Sequence, residues 1–176
     1  TSTSVTLATG VAKARDLKGE KYNVIALIGD GSLSGGEALE GLSNAAVLDS
    51  NIIIVVNDNE MAIAENHGGL YTALRKLRET SGKSEDNFFK SMGFEYYYLE
   101  NGNNTQDLID LFSKVKDTNK PTVVHIHTLK GKGYTPAEEQ KEKYHWQMAG
   151  FMNAKCGTVA ENYNTITSDF LLKKQK

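Results

Sequence analysis

An α/β fold, a mostly parallel sheet in a three-layer α/β/α arrangement, is the class this sequence predicts, and three observations predict it. Four short runs, residues 24–28, 52–56, 94–99 and 122–126, are β-branched or aromatic and are bounded by turn residues, as strands are. The first two, VIALI and IIIVV, lack polar alternation, which is the signature of strands buried on both faces. The segments between the runs have helical composition, and parallel neighbours need crossovers of about a dozen residues, which residues 31–50 supply.

In chain order, residues 5–17 place Leu7, Val11, Ala14 and Leu17 at helical spacing and predict a helix whose apolar stripe they form. The first strand follows. Residues 36–48 predict a second helix, with Leu39, Leu42, Ala46 and Leu48 as its apolar positions and alanines that permit close packing. After the second strand, His67 stands where a helix running toward Leu77 begins or is capped, and residues 82–86 read as a surface break. The third strand contains Tyr96, Tyr97 and Tyr98, which are read as packing residues. A helix over 105–115, capped by Asn104, leads to the fourth strand. Residues 131–142 read as a charged loop, Trp146 and Phe151 as buried anchors, and residues 162–172 as the start of a further helix or domain.

Composition narrows the function classes. The chain has 176 residues, of which 39% are hydrophobic, and a formal charge of -2. Burial of roughly 70% of the extended chain's surface supports one substantial core. The balance of charged and apolar residues excludes global disorder. No apolar run is long enough to span a membrane, and the chain lacks the positive stripe of a dedicated nucleic-acid binder. Cys156 is alone and has no internal disulfide partner, which fits a reducing cytoplasm. The opening TSTSV, without methionine, suggests a processed product or part of something longer.

The strongest local signal is Gly29-Asp30-Gly31-Ser32, directly after the first strand. Ligands of open α/β sheets gather at the carboxyl ends of strands, where glycines let the backbone approach a phosphate. Asp30 would repel that phosphate unless a cation stood between them, so the string points to Mg²⁺ bridging protein oxygens and phosphate. The dinucleotide fingerprint is not met, because Ser34 stands where its third glycine belongs, and no Walker lysine is present. The plainer alternative is a glycine-rich turn with Asp30 exposed or capping. The second signal, Asn57-Asp58-Asn59-Glu60-Met61, ends the second strand. Parallel strands would bring Asn59 to the same sheet edge as Asp30, joining a carboxylate, an amide oxygen and a backbone carbonyl in one three-oxygen set. Alone, that string is equally a polar turn.

GDG followed 26 residues after its last glycine by NDN resembles the thiamine diphosphate signature of the transketolase superfamily. The strings GDGSLSGGEALEGLSNAA, NDNEMAIAENHGGL and KGKGYTPAE resemble the 1-deoxy-D-xylulose-5-phosphate synthase family more narrowly. The resemblance implies that Asp30 and Asn59 bind Mg²⁺ with the Met61 carbonyl. It places Gly31, Ser32 and Asn59 beside the cofactor diphosphate and Tyr134 at the cofactor's border, with His145 as the catalytic histidine. It further implies synthesis of 1-deoxy-D-xylulose 5-phosphate from pyruvate and D-glyceraldehyde 3-phosphate with release of CO₂, by a cytoplasmic homodimer. Residues 1–160 would be part of a diphosphate-binding domain, and residues 161–176 a linker and the start of a pyrimidine-binding domain. The glutamate that activates the cofactor belongs to that second domain, and Glu60 and Glu65 do not replace it, so this chain alone is expected to be inactive. Transketolase and a subunit of a split enzyme are the alternatives. Ala62 and Ala64 stand where the family usually has serine, and Lys132 where arginine is frequent.

His125 and His127 share a strand period of two, and with His67 they invite a metal reading that two histidines without a third ligand support weakly. His127, nearer the strand's end, is the candidate for ligand contact. Lys130, Lys132, Lys141 and Lys143 could attract a phosphorylated substrate, but Glu138, Glu139 and Glu142 among them favour a solvated mixed-charge loop.

Overall fold

The computed structural model describes residues 2–48, 50–147 and 170–173. Residues 1–145 form one compact unit; residues 146–176 form a second, in which 170–173 make a helical turn. Phe151, Cys156 and most of the predicted 162–172 helix lie outside the described residues, and Trp146, expected as a buried anchor, is exposed.

In the first unit the chain runs α1 (Ser4–Leu17), β1 (Val24–Gly29), α2 (Asp30–Leu33), α3 (Gly36–Ala46), β2 (Ile52–Asp58), α4 (Gly69–Glu79), α5 (Phe88–Met92), β3 (Glu95–Leu99), α6 (Thr105–Val115), β4 (Thr122–His127) and α7 (Thr135–Glu139). The strands form a wholly parallel sheet in the order β1-β2-β4-β3. The chain steps outward from β1 through β2 to β3, then doubles back to β4. Right-handed crossovers put the helices of the outward steps on one face and the returning helix on the other. Accordingly, side chains of α1 to α5 pack with Ile52, Ile54, Val56 and Val123 on one face. On the opposite face, α6 packs its Leu108, Leu111, Phe112 and Val115 with Ile53, Val55, Val124 and Ile126.

The reading of β2 as doubly buried holds, and that of β1 does not. β2 is buried at every position from Ile52 to Val56, whereas β1 alternates, with Ile25 53% and Leu27 63% exposed. β1 is an edge strand, and α6 covers the sheet's second face only over the other strands. Helix α1 likewise turns the other way from its predicted stripe. Val5, Ala8, Ala12 and Arg15 are buried while Leu7, Val11 and Leu17 face out. Close contact selects the small face: a side chain at Gly41 of α3 would strike Thr6 and Val5. The buried Arg15 is satisfied by Asp16, Ser50 and the carbonyls of Tyr22 and Asn51. In α3, Ala38, Leu42 and Ala45 are buried and Leu39 is exposed.

Local signals for helix ends fare well. The Asn104 side chain accepts from the N–H groups of Gln106 and Asp107, capping α6 as expected. Asn87 caps α5 in the same way. The break after α4 turns at Gly82, whose φ of +75° and close approach to Tyr98 both require glycine. His67 does not cap α4, whose N-cap is Gly68. The 131–142 loop contains the short helix α7, with Pro136 in its first turn.

Candidate active site at the ends of β1 and β2

Val24 through Gly29 pair with Ile52 through Asn57, so the two strands finish level. Chain direction then delivers the residues after Gly29 and after Asn57 to one edge. Helix α2 begins at Asp30 itself, so the glycine-rich string is a tight helical turn with α3 following at Gly36, where a single helix start had been expected. Asp30 is 2% exposed. Its Oδ1 accepts from the Gly31 N–H at 2.8 Å, and its Oδ2 from the Asn59 N–H at 3.3 Å and the Asn66 side-chain amide at 3.0 Å. These donors are all neutral. Burial pushes the Asp30 carboxyl up to about 6, and the neighbouring Asp58 charge adds to the rise against the Gly31 hydrogen bond.

Asn59 turns its side-chain oxygen to the Met61 N–H at 3.2 Å. The chain then bends back through a bridge between Met61 and Glu65, with the Ala62 N–H bonded to the Ala64 carbonyl. This bend lies on the Asp30 turn so closely that a side chain at Gly31 would sit 2.8 Å from the Ala62 Cβ. Glycine at 31 and a small residue at 62 are therefore coupled by space.

A cavity of about 580 Å³ opens here, and Asp30, Gly31, Ser32, Asn59, Met61 and His145 all line it. Six of the seven site residues expected from sequence thus share one cavity. Tyr134 is not among its lining residues, and its ring meets Tyr144 edge-on. Two participants went unnoticed in the sequence, and a third was set aside. Asn66 donates to Asp30 from beyond the bend. Ser2 lines the cavity and donates to the Ser32 carbonyl. Lys130, weighed as attracting a phosphorylated substrate but read as part of a charged loop, also lines the cavity and donates to the Ala62 carbonyl. Burial lowers the Lys130 ammonium from its ordinary range, partly offset by Asp30.

Deeper at the same edge, Asp58 is fully buried. Its Oδ2 meets His125 Nε2 at 2.9 Å and the Arg78 guanidinium, and Tyr96 holds the other ring nitrogen of His125 at 2.8 Å. Burial works against the Asp58 charge, but His125 and Arg78 outweigh it and bring the carboxyl down to about 2. His127 joins Glu100 at 3.0 Å to Glu60 at 3.1 Å. His125 and His127 are thus engaged with carboxylates. Among the described residues no three His, Cys, Asp or Glu side chains converge as a metal site. The cavity is lined instead by residues with hard oxygens, Asp30, Ser32 and Asn59 among them, a chemistry that fits Mg²⁺ completed by phosphate oxygens and water.

The family model described as 1-deoxy-D-xylulose-5-phosphate synthase matches residues 1–86 and 79–128. This chain belongs to the 1-deoxy-D-xylulose-5-phosphate synthase family. The synthase of Clostridium beijerinckii is 38% identical over 89% of this chain and 31% of its own length. That of Carboxydothermus hydrogenoformans is 40% identical over 82% of this chain and 29% of its own length. The chain therefore spans about a third of the relatives it matches. Transketolase from Campylobacter jejuni shares the fold, with a TM-score of 0.52 and 21% identity over 74% of this chain and 20% of that one. Among the described residues no helix is long and apolar enough to cross a membrane.

Proposed function

We propose that this segment is the Mg²⁺-diphosphate half-site of a thiamine diphosphate-dependent 1-deoxy-D-xylulose-5-phosphate synthase. The complete protein would release the carboxyl carbon of pyruvate as CO₂ and join the remaining two carbons to the aldehyde carbon of D-glyceraldehyde 3-phosphate. The observation that carries the reading is the meeting of Asp30 and Asn59 at one strand edge, with the Asp30 carboxylate buried among neutral donors. Such a carboxylate favours a bound cation as its charge partner.

When bound, the cofactor supplies the carbanion chemistry. The protein's part at this edge is placement. Asp30, the Asn59 side chain and the Met61 carbonyl would hold the ion. Gly31 and Ser32 would let the diphosphate approach the backbone, and Lys130 adds a positive charge to the same cavity. His145, at the cavity wall, is the candidate for contact with substrate. The family resemblance assigns Tyr134 to the cofactor's border; the reading rests on the other six residues.

Under this reading residues 1–160 are part of a diphosphate-binding domain, and residues 161–176 lead into a pyrimidine-binding domain. This chain alone is then inactive, the working protein a cytoplasmic homodimer. The open apolar face of β1 and the outward Leu7, Val11 and Leu17 support further covering elements in the complete assembly. Calorimetric titration of the complete protein with thiamine diphosphate, with and without Mg²⁺, tests the half-site, and binding indifferent to Mg²⁺ would refute it. CO₂ release from pyruvate in the presence of glyceraldehyde 3-phosphate tests the reaction, and ketol transfer without that release would favour a transketolase instead.

A further inference from the structure

We infer that Arg78 is a positioning residue for Asn59, setting how readily the strand edge takes up Mg²⁺ while touching neither ion nor cofactor. The inference rests on the half-site reading above. Asn59 stands between two acidic residues, and one guanidinium holds both. The Nη1 of Arg78 donates to Asp58 Oδ2, and its Nη2 lies 3.5 Å from Glu60 Oε2. The planar fork of arginine fixes these two contacts relative to each other, which a lysine ammonium cannot do.

The backbone shows why such bracing is needed. Glu60 has a φ of +68°, a left-handed conformation that L side chains adopt only at an energetic cost. It persists where surrounding contacts over-determine it. Here the Glu60 N–H donates to Asp58 Oδ1 at 3.1 Å, its Oε1 meets His127 at 3.1 Å, and Arg78 reaches its Oε2. Asp58 is anchored in turn by His125. Both neighbours of Asn59 are therefore held, which leaves the amide oxygen little to order when a cation arrives. Preorganisation of this kind raises affinity without adding a contact. Arg78 comes from α4, twenty positions beyond Asp58, and is itself mostly buried.

The test is a Mg²⁺ titration of thiamine diphosphate binding in the complete protein, with melting temperature measured in parallel. Arg78→Met should raise the Mg²⁺ concentration for half-maximal binding about tenfold, as expected for loss of a charge-assisted contact. Arg78→Lys should recover part of that loss. Leu77→Ala, a cavity at a buried position on the same helix, should lower the melting temperature and leave the Mg²⁺ midpoint unchanged. If Leu77→Ala shifts the midpoint as far as Arg78→Met, the role of Arg78 is merely structural and the proposal falls. Asp30→Asn separates the two readings. Should Mg²⁺ dependence survive Asp30→Asn, the half-site itself is wrong; should it vanish there and stay normal in Arg78→Met, only the positioning role is wrong. Where Arg78→Met folds poorly, Glu60→Gln on the more exposed arm takes its place, and an unchanged midpoint in that variant likewise overturns the proposal.

Discussion

Asp30 directly follows β1 and Asp58 ends the adjacent β2; both are buried at the same sheet edge, yet their surroundings treat their charge oppositely. Asp58 is met by a guanidinium and an imidazole, and its carboxyl falls to about 2. Asp30 is met by N–H groups and an amide, and its carboxyl rises to about 6. One aspartate has its counter-charge built into the protein; the other has room for a counter-charge from outside. Burial alone therefore does not mark a functional carboxylate. What marks it is burial with no cation bonded to the carboxylate, the nearby Lys130 being spent on the Ala62 carbonyl.

The largest effect that would break this contrast is Asp58→Ala. It leaves Arg78 and His125 facing an apolar gap, and breaking a buried pair in this way should cost about 3–5 kcal/mol, read from urea unfolding. Next comes Asp30→Asn, compared with the parent across pH without metal. The folded carboxyl titrates near 6 and the unfolded one near 3.8, so the folded state binds the extra proton. The contribution is present below the unfolded value and lost as pH rises through about 6. Relative to Asp30→Asn, the parent should thus lose about 2 kcal/mol of stability between those limits, following the size of the shift. A parent that gains stability over that range would reverse the assignment. Asp58 has the opposite sign: its stabilisation is present above the ordinary carboxylate range and lost as pH falls through about 2.

A smaller effect should follow Asn66→Ala, which removes one donor from Asp30 and should cost about 1 kcal/mol at neutral pH while moving the Asp30 titration upward. Smallest is Tyr96→Phe, which takes one partner from His125 and should cost roughly 0.5–1 kcal/mol, with no change in the Asp30 titration measured by carboxyl NMR. A shift of Asp30 in that variant would show that Tyr96 reaches the Asp30 carboxyl through His125 and Asp58, whose charge already adds to the rise of Asp30.

The strands were legible because short β-branched runs between turn residues have few other solutions, and Asn104 was legible as a cap because its hydrogen bonds reach only two and three positions ahead. The outward turn of Leu7, Val11 and Leu17 was not. Periodicity identifies a helix, but its orientation follows from how closely it packs, and α1 meets α3 through small side chains. The exposed Ile25 and Leu27 escaped for a related reason: an apolar run does not state whether a helix lies over each face.

At the site, the spacing of GDG and NDN determined that Asp30 and Asn59 would share an edge, since parallel strands of matched length leave no other place for them. Which of the neighbouring aspartates would keep an uncompensated charge was decided only in three dimensions. Arg78, His125 and Asn66 come from separate elements, and only packing determines which carboxylate each of them reaches.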